Sequence, residues 1–115
     1  RFVIDVFNPD FTILMRGSNR KRVVARYPDP DGGGIVTISE TNRYDRATHI
    51  NHLKWYFSLG KKKWTDDLDM RVFFPQELDA LLRYNGFRIE HKYGDYDRSH
   101  FGSESPHQLT VCRLK

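Results

Sequence analysis

Residues 70–89 constrain the fold more than any other part of this chain, because they read as strand, helix, turn and strand in direct succession. Pro75 stands where a first helical residue is favoured, since its missing N–H would have no intrahelical partner there. Asn85-Gly86 supplies a left-handed stop. Three leucines at i, i+3 and i+4 spacing form one apolar stripe, and they are Leu78, Leu81 and Leu82. The pattern predicts a helix over Pro75–Tyr84 and a strand directly after it.

This stretch resembles the last helix and following strand of class I S-adenosylmethionine-dependent methyltransferases. The pattern of that family typically reads R-h-h-s/f-P-x-E-L-x-x-L-L-x-x-A-G-F, and the chain follows it with Asn85 in place of the usual Ala. Three further segments are similar to parts of the same fold. Residues 1–9 resemble its fifth core strand, residues 93–97 its G-D-f/y-D loop, and residues 108–113 its closing strand.

The cofactor site of that family is a strand ending in an acidic residue, followed by a Gly-rich loop that opens a helix. The sequence has one Gly cluster, Gly32-Gly33-Gly34, and its Pro/Asp-rich approach and strand-like continuation are typical of a hairpin turn. We therefore expect residues 1–115 to be a single C-terminal fragment of a methyltransferase domain. Residues 1–20 and 75–115 would be its core-fold part, and residues 21–74 an antiparallel insertion on the substrate side.

The resemblance implies an α/β fold class, namely a partial Rossmann-like methyltransferase fold with one main helix. It implies a mixed sheet of residues 2–7, 87–93 and 108–114, in which the closing strand runs antiparallel between the other two. Residues 10–20 are interpreted as a linker or a short helix.

The middle of the chain has four strand-like runs joined by short turns, which predict an antiparallel sheet. These runs are Arg22–Tyr27, Ile35–Tyr44, His49–Leu59 and Asp67–Phe74. In the third run, alternation predicts that Leu53, Trp55 and Phe57 share the buried face.

The chain is mildly basic, with a net charge of +4 and a pI of about 9.3. Its cationic runs, at residues 20–22 and 61–63, are short and lie beside turn signals, so we expect no nucleic-acid partner. No stretch approaches the roughly 20 apolar residues of a membrane span, so we expect no membrane partner. Cys112 is the single cysteine, which fits a reducing compartment and a cytoplasmic protein.

A metal site is not expected. His49 and His52 are three residues apart, and on a strand such positions point to opposite faces. The other histidines lie in separate segments, whereas a zinc site needs about four converging ligands. No Gly-x-Ser-x-Gly motif is present, so no catalytic residue is assigned.

Four residues are candidates for substrate binding. Asn8 follows the fifth-strand segment, and ligands of open α/β sheets collect outside the carboxyl ends of strands; the alternative is a plain turn opener. Arg71 binds an acidic substrate group or braces the sheet through a carboxylate such as Glu77. Tyr44 and Tyr56 line a substrate lid or belong to a core.

The resemblance implies that the intact enzyme transfers a methyl group from S-adenosylmethionine to a small molecule. The fragment alone is expected to be inactive and to bind the cofactor poorly. Residues 2–7 are expected to expose a strand edge that pairs with a second copy, giving a homodimer. Two alternatives stay open: a non-catalytic β-rich module that binds a ligand or partner, and a nucleic-acid-binding domain.

Overall fold

The computed structural model describes residues 1–17 and 20–115, which form seven strands and two helices. The strands are Phe2–Phe7 (β1), Arg22–Pro28 (β2), Ile35–Asp45 (β3), Ile50–Leu59 (β4), Lys62–Arg71 (β5), Phe87–Tyr93 (β6) and His107–Leu114 (β7). The helices are Phe11–Leu14 (α1) and Pro75–Tyr84 (α2). They fall into two compact units: unit 1 comprises residues 1–9 and 72–115, and unit 2 comprises residues 10–71. Among the described residues, no helix has the length and apolar character needed to cross a membrane.

Unit 1 is built on a three-stranded sheet in the order β1-β7-β6. The closing strand β7 lies in the centre and runs antiparallel to both neighbours, as predicted. The sheet is therefore antiparallel at both of its pairings and not mixed. The strands β1 and β6 run in the same direction, but β7 separates them, so no parallel pair forms.

The core of unit 1 lies between this sheet and α2. Leu78 and Leu82 are 3% and 5% exposed and pack on Cys112, which is fully buried. Burying two leucines contributes roughly 1.5–3 kcal/mol each. Leu81 departs from the predicted stripe and is 47% exposed, because at about 100° per residue it lies at the margin of the face that Leu78 and Leu82 bury. Burial raises the pKa of the Cys112 thiol, as expected for a structural cysteine.

The predicted helix bounds are confirmed, and both ends have local causes. At the start of α2, the Glu77 carboxylate accepts a hydrogen bond from the backbone N–H of Phe74 at 3.3 Å. At its end, the Asn85 side chain donates to the carbonyl of Leu81 at 2.8 Å. Gly86 then takes a φ of 88°, a left-handed conformation that glycine adopts without steric cost. The chain thus reverses directly into β6.

Unit 2 is a four-stranded antiparallel sheet in the order β2-β3-β4-β5. Its last strand begins at Lys62 and ends at Arg71, so the predicted run Asp67–Phe74 was misplaced at both ends. The cause is a tight hairpin in which Leu59 pairs directly with Lys62, with Gly60 in a left-handed conformation. Lys62 and Lys63, which precede the predicted run, therefore belong to the strand.

The short helix α1 belongs to unit 2. Asp10 caps it by accepting from the Thr12 N–H at 2.9 Å. The buried Asn42 side chain on β3 then donates to the Leu14 carbonyl at 3.0 Å and to Asn51 at 3.0 Å. Ser18 and Asn19, in the same predicted linker, lie outside the described residues.

The predicted face of β4 is confirmed at Leu53, which is 7% exposed. Trp55 and Phe57 lie on the same face but are only half-buried. They meet edge to face, and Phe57 stacks on Trp64 of β5 with ring centroids 5.2 Å apart. These aromatic contacts bury part of both side chains.

Candidate functional site

The carboxyl ends of β1 and β6 lie at the same end of the sheet in unit 1, with β7 between them. Asn8 follows β1 there, the loop of residues 94–106 follows β6, and α2 begins beside them. Ligands of open α/β sheets bind at this kind of edge. We define these three segments as the carboxyl-edge site.

The carboxyl-edge site contains an open cleft of about 580 Å³, a volume within the usual range of roughly 300–1,000 Å³ for small-molecule sites. Its seven lining residues carry no charged side chain, and they are Asn8, Phe74, Pro75, Gln76, Phe101, Gly102 and Ser103. Two aromatic rings give it apolar walls, while amide and hydroxyl groups give it polar ones. Such a lining suits an uncharged ligand with an apolar or aromatic body.

Asn8 has a structural task at this site. Its side-chain amide donates to the carbonyls of Ser103 and Ser105 at 3.2 and 2.8 Å, and its backbone N–H donates to the carbonyl of Pro106 at 3.0 Å. These bonds fix the loop over the end of β1. The side-chain oxygen of Asn8 makes no hydrogen bond to another described residue, so it is the part of Asn8 that is available to a ligand.

The loop of the carboxyl-edge site is tightly packed around Gly94. A side chain at Gly94 would collide with Ser105, whose Cβ lies 2.7 Å from the position of a built Cβ. Ser105 in turn accepts from the N–H of Gly102 at 2.9 Å. Lys92 ties the base of this loop to α2 by donating to Asp79 at 2.7 Å, with its Nζ 4.8 Å from the Phe101 ring centroid.

A second polar cluster lies on the sheet face opposite α2, and sequence reasoning missed it. The His107 Nδ1 donates to one oxygen of Asp5 at 3.1 Å, and the Tyr96 hydroxyl donates to the other at 2.5 Å. The hydrogen bond to Asp5 is the main cause that raises the pKa of Tyr96 above its usual value. Rings of Phe7 and Tyr96 contact the imidazole, with centroids 5.5 and 4.8 Å away. One signal was present, since Asp5 is the single polar residue in an otherwise apolar strand.

The other three predicted site residues lie in unit 2 and do not form one site there. Tyr44 lies on the same face as Asn51 and contacts His49, whereas Tyr56 is on the opposite face. Lys21 places its ammonium 3.9 Å from the Tyr56 ring centroid. Arg71 is the cross-strand partner of Ile50 on β4. Ile50 and Tyr56 are separated by about 20 Å along β4 at the usual rise per residue, so Arg71 is far from Tyr56.

The described residues form neither a glycine-rich loop before a helix nor a metal-binding cluster. Gly32-Gly33-Gly34 closes the β2–β3 hairpin, as predicted, and its N–H groups are engaged by Asp29: the carbonyl accepts from Gly32 and the carboxylate from Gly33. The glycine cluster is followed by strand β3 and not by a helix. No helix N-terminus is therefore present at this turn to bind a phosphate or carboxylate. Within residues 1–17 and 20–115, no three metal-ligating side chains converge. His49 lies in a turn before β4, and His52 is paired with Asp69 at 2.7 Å.

The fold is that of part of a methyltransferase. The chain overlays the CcbJ methyltransferase from Streptomyces caelestis with a TM-score of 0.77 and 19% identity, covering 99% of this chain and 46% of that one. It overlays an S-adenosylmethionine-dependent methyltransferase from Clostridium acetobutylicum with a TM-score of 0.69 and 14% identity, covering 98% and 44%. The chain therefore spans slightly less than half the length of each. No protein-family model and no curated protein matches the sequence.

Proposed function

We propose that this chain is the acceptor-side part of an S-adenosylmethionine-dependent methyltransferase that acts on small molecules. The observation that carries the proposal is the overlay of almost the whole chain on one portion of two methyltransferases from different organisms. The carboxyl-edge site supports it, since its position and volume suit a small ligand. The cofactor would be held by residues outside these 115.

The lining of the cleft determines what this part contributes to methyl transfer. Phe74 and Phe101 would hold an apolar or aromatic body, and the amide groups of Asn8 and Gln76 would orient its polar end. No lining side chain is a carboxylate or an imidazole, so the cleft offers no proton acceptor. Catalysis would then rest on proximity and alignment, which favours acceptors whose nucleophilic atom is already unprotonated.

The test uses S-adenosylmethionine with a tritiated methyl group and a panel of small aromatic amines, whose nitrogen is unprotonated near neutral pH. The 115-residue chain alone is expected to transfer no label and to bind the cofactor no tighter than about millimolar, since its described residues form no glycine-rich loop before a helix. The polypeptide extended upstream through its coding sequence is expected to transfer label. Micromolar binding by the chain alone, or an extended protein that is inactive with the whole panel, would contradict the proposal.

We also propose that the chain forms a homodimer through the outer edge of β1. Among the described strands, β1 pairs on one side only, and Phe2, Val3 and Phe7 are 43%, 57% and 65% exposed. An unpaired apolar edge favours pairing with a second copy. Light scattering is expected to give twice the chain mass of 13.7 kDa, and Val3→Lys is expected to give a monomer. A wild-type monomer at millimolar concentration refutes this.

A dimer whose extended form transfers no methyl group would favour the alternative function, a non-catalytic β-rich module that binds a ligand or partner. We place the protein in the cytoplasm, and the single buried thiol of Cys112 supports this placement.

A further inference from the structure

Three aromatic rings and two carboxylates lie together on one face of the sheet in unit 2. Trp55 and Phe57 are two residues apart on β4, so they share this face, and their cross-strand partners on β5 are Asp66 and Trp64. On the other side of β4, Glu40 of β3 is also a cross-strand partner of Trp55. We call these five residues the aromatic patch. All of them belong to unit 2, and none lines the carboxyl-edge site.

The rings of the aromatic patch are presented in two orientations. Phe57 and Trp64 stack with an angle of 7° between their planes, whereas Trp55 meets Phe57 at 75°. Trp64 is 39% exposed, and the other two rings are half-buried. Ring planes at a steep angle to each other, with part of their surface open to solvent, are typical of sites that bind alkylammonium ions.

The aromatic patch already attracts a cation from its own chain. The Lys62 Nζ lies 5.7 Å from the ring centroid of Trp64, within the roughly 6 Å over which a ring attracts an ammonium group. Lys62 makes no ion pair with a carboxylate among the described residues, so Trp64 is the partner that the structure gives to this charge. The contact shows that a cation is accepted beside the patch.

The two carboxylates give the aromatic patch a negative charge. Glu40 is fixed beside the indole ring of Trp55, whose Nε1–H donates to its carboxylate at 2.9 Å. Asp66 is exposed and has no hydrogen bond or ion pair with another residue in the ranges 1–17 and 20–115. Arg22 is the cross-strand partner of Glu40 on β2, but the two form no ion pair there. A neutral apolar occupant would desolvate these carboxylates without compensation, whereas a cation with an apolar surface satisfies both the rings and the charges.

We propose that the aromatic patch binds a small alkylammonium ion, with the methyl groups of a quaternary nitrogen on the rings and its charge between Glu40 and Asp66. Two residues on each of two adjacent strands span about 5 by 7 Å, which suits one such head group better than a protein surface. The inference is independent of the proposed function, because the patch lies wholly in unit 2 and its occupant takes no part in methyl transfer.

The test titrates the whole chain with choline and with dimethylbutanol, its carbon analogue, in which an uncharged carbon replaces the nitrogen. Trp55 and Trp64 are the two tryptophans of the chain, so the NMR signals of their indole N–H groups report on the patch directly. Choline is expected to shift both signals with a Kd of about 1–10 mM. It is expected to bind about fivefold tighter than dimethylbutanol, as a few exposed cation–π and ionic contacts would provide.

Adjacent residues of β5 supply variants with matched controls. Asp66 and Lys62 lie on the face of the patch, while Asp67 and Lys63 lie on the opposite face. Asp66→Asn is expected to weaken choline binding about threefold. Lys62→Gln is expected to strengthen it about twofold, because it removes a competing cation, and misfolding does not mimic a gain in affinity. Asp67→Asn and Lys63→Gln make the same changes of net charge and are expected to leave the affinity unchanged.

The contribution of the rings is tested by Trp64→Leu, which keeps an apolar side chain but removes the most exposed ring. Choline should then lose most of its advantage over dimethylbutanol, while an unchanged Trp55 indole signal in the absence of ligand shows that the sheet is intact. An undiminished advantage in the folded variant would contradict the inference.

Three further results would overturn the inference. They are the absence of any indole shift at about 50 mM choline, equal affinities for choline and dimethylbutanol, and a loss of affinity in Asp67→Asn as large as that in Asp66→Asn. A peptide that carries trimethyl-lysine is titrated in parallel. If it binds more than about tenfold tighter than choline, the assignment to a small molecule is wrong and a protein supplies the cation.

Discussion

Thr110 is buried at the centre of β7 without a use for its hydroxyl. It is 0% exposed, and its Oγ1 has no hydrogen-bond partner among the described residues. A buried hydroxyl that lacks a partner costs about 1–3 kcal/mol. Valine has nearly the same shape and replaces that hydroxyl by a methyl group, so it opens no cavity and needs no hydrogen bond. We expect Thr110→Val to stabilise unit 1 by about 1–2 kcal/mol.

The chain contains its own probe for this measurement. Cys112 is the single cysteine and is fully buried two residues beyond Thr110, so a thiol reagent modifies it only when unit 1 opens. When opening is fast and reversible, the labelling rate follows the population of the open form. A gain of about 1–2 kcal/mol lowers that population roughly 5- to 30-fold. Both tryptophans, Trp55 and Trp64, lie in unit 2. The urea midpoint that their fluorescence reports should therefore be the same in Thr110→Val as in the wild type.

Two controls make the Thr110 result interpretable. Thr110→Ser keeps the hydroxyl but removes a buried methyl group, so labelling should become faster by the equivalent of about 1 kcal/mol. Thr65→Val is made at an exposed position on β5 and should leave the labelling rate unchanged. If Thr110→Val is labelled as fast as the wild type or faster, the hydroxyl has a partner and the reasoning is wrong.

Three further predictions use the same labelling assay or a direct titration. Gly94→Ala should destabilise unit 1 by about 1–3 kcal/mol, because the added methyl group would collide with Ser105. Gly102→Ala is the control and should have little effect, because nothing lies within 4 Å of its Cβ position; equal effects of the two changes would refute the packing argument. Asn8→Asp should destabilise more than Asn8→Ala, because a carboxylate would face two backbone carbonyls; the reverse order would contradict the assigned hydrogen bonds. The hydrogen bond to Asp5 raises the pKa of Tyr96, so the stabilisation that this bond provides is complete below the usual pKa near 10 and is lost as the pH rises through the raised pKa. Tyr96→Phe should remove a step above about pH 10 from the phenolate absorbance titration, and an unchanged titration above that pH would contradict the assigned bond.

The sequence alone predicted elements whose signals are local. The helix Pro75–Tyr84 carries its start, its stripe and its stop within the segment itself, and β1 is apolar except at Asp5. The start of β5 was missed because Lys62 and Lys63 follow the turn at Gly60 and show no apolar alternation, and their pairing with Leu59 and Ser58 brings them into the sheet. Local preference is weak for strands, since cross-strand contacts decide their bounds.

The candidate site was predictable in position but not in composition. Asn8 was identified because ligands collect beyond the carboxyl ends of strands, and the structure places it beside the cleft at that edge. The contact between Asp5 and His107 joins residues 102 positions apart, and no pattern within one segment records such a contact. Phe101 and Ser103 likewise reach the cleft through contacts between distant segments, among them the hydrogen bonds from Asn8 to the carbonyls of Ser103 and Ser105.

Gln108 shows why a buried polar group is retained beside Thr110, whose hydroxyl has no such use. Its side-chain amide donates to the carbonyls of Phe7 and Phe73 at 3.2 and 2.6 Å, while its oxygen has no partner among the described residues. The residues that follow these two carbonyls, Asn8 and Phe74, both line the cleft. One amide therefore holds together the two chain segments that form opposite parts of the candidate site. An apolar residue would avoid the unpartnered oxygen but would not link the two segments. The hydrogen bonds to Phe7 and Phe73 therefore offset the cost of burying the Gln108 oxygen.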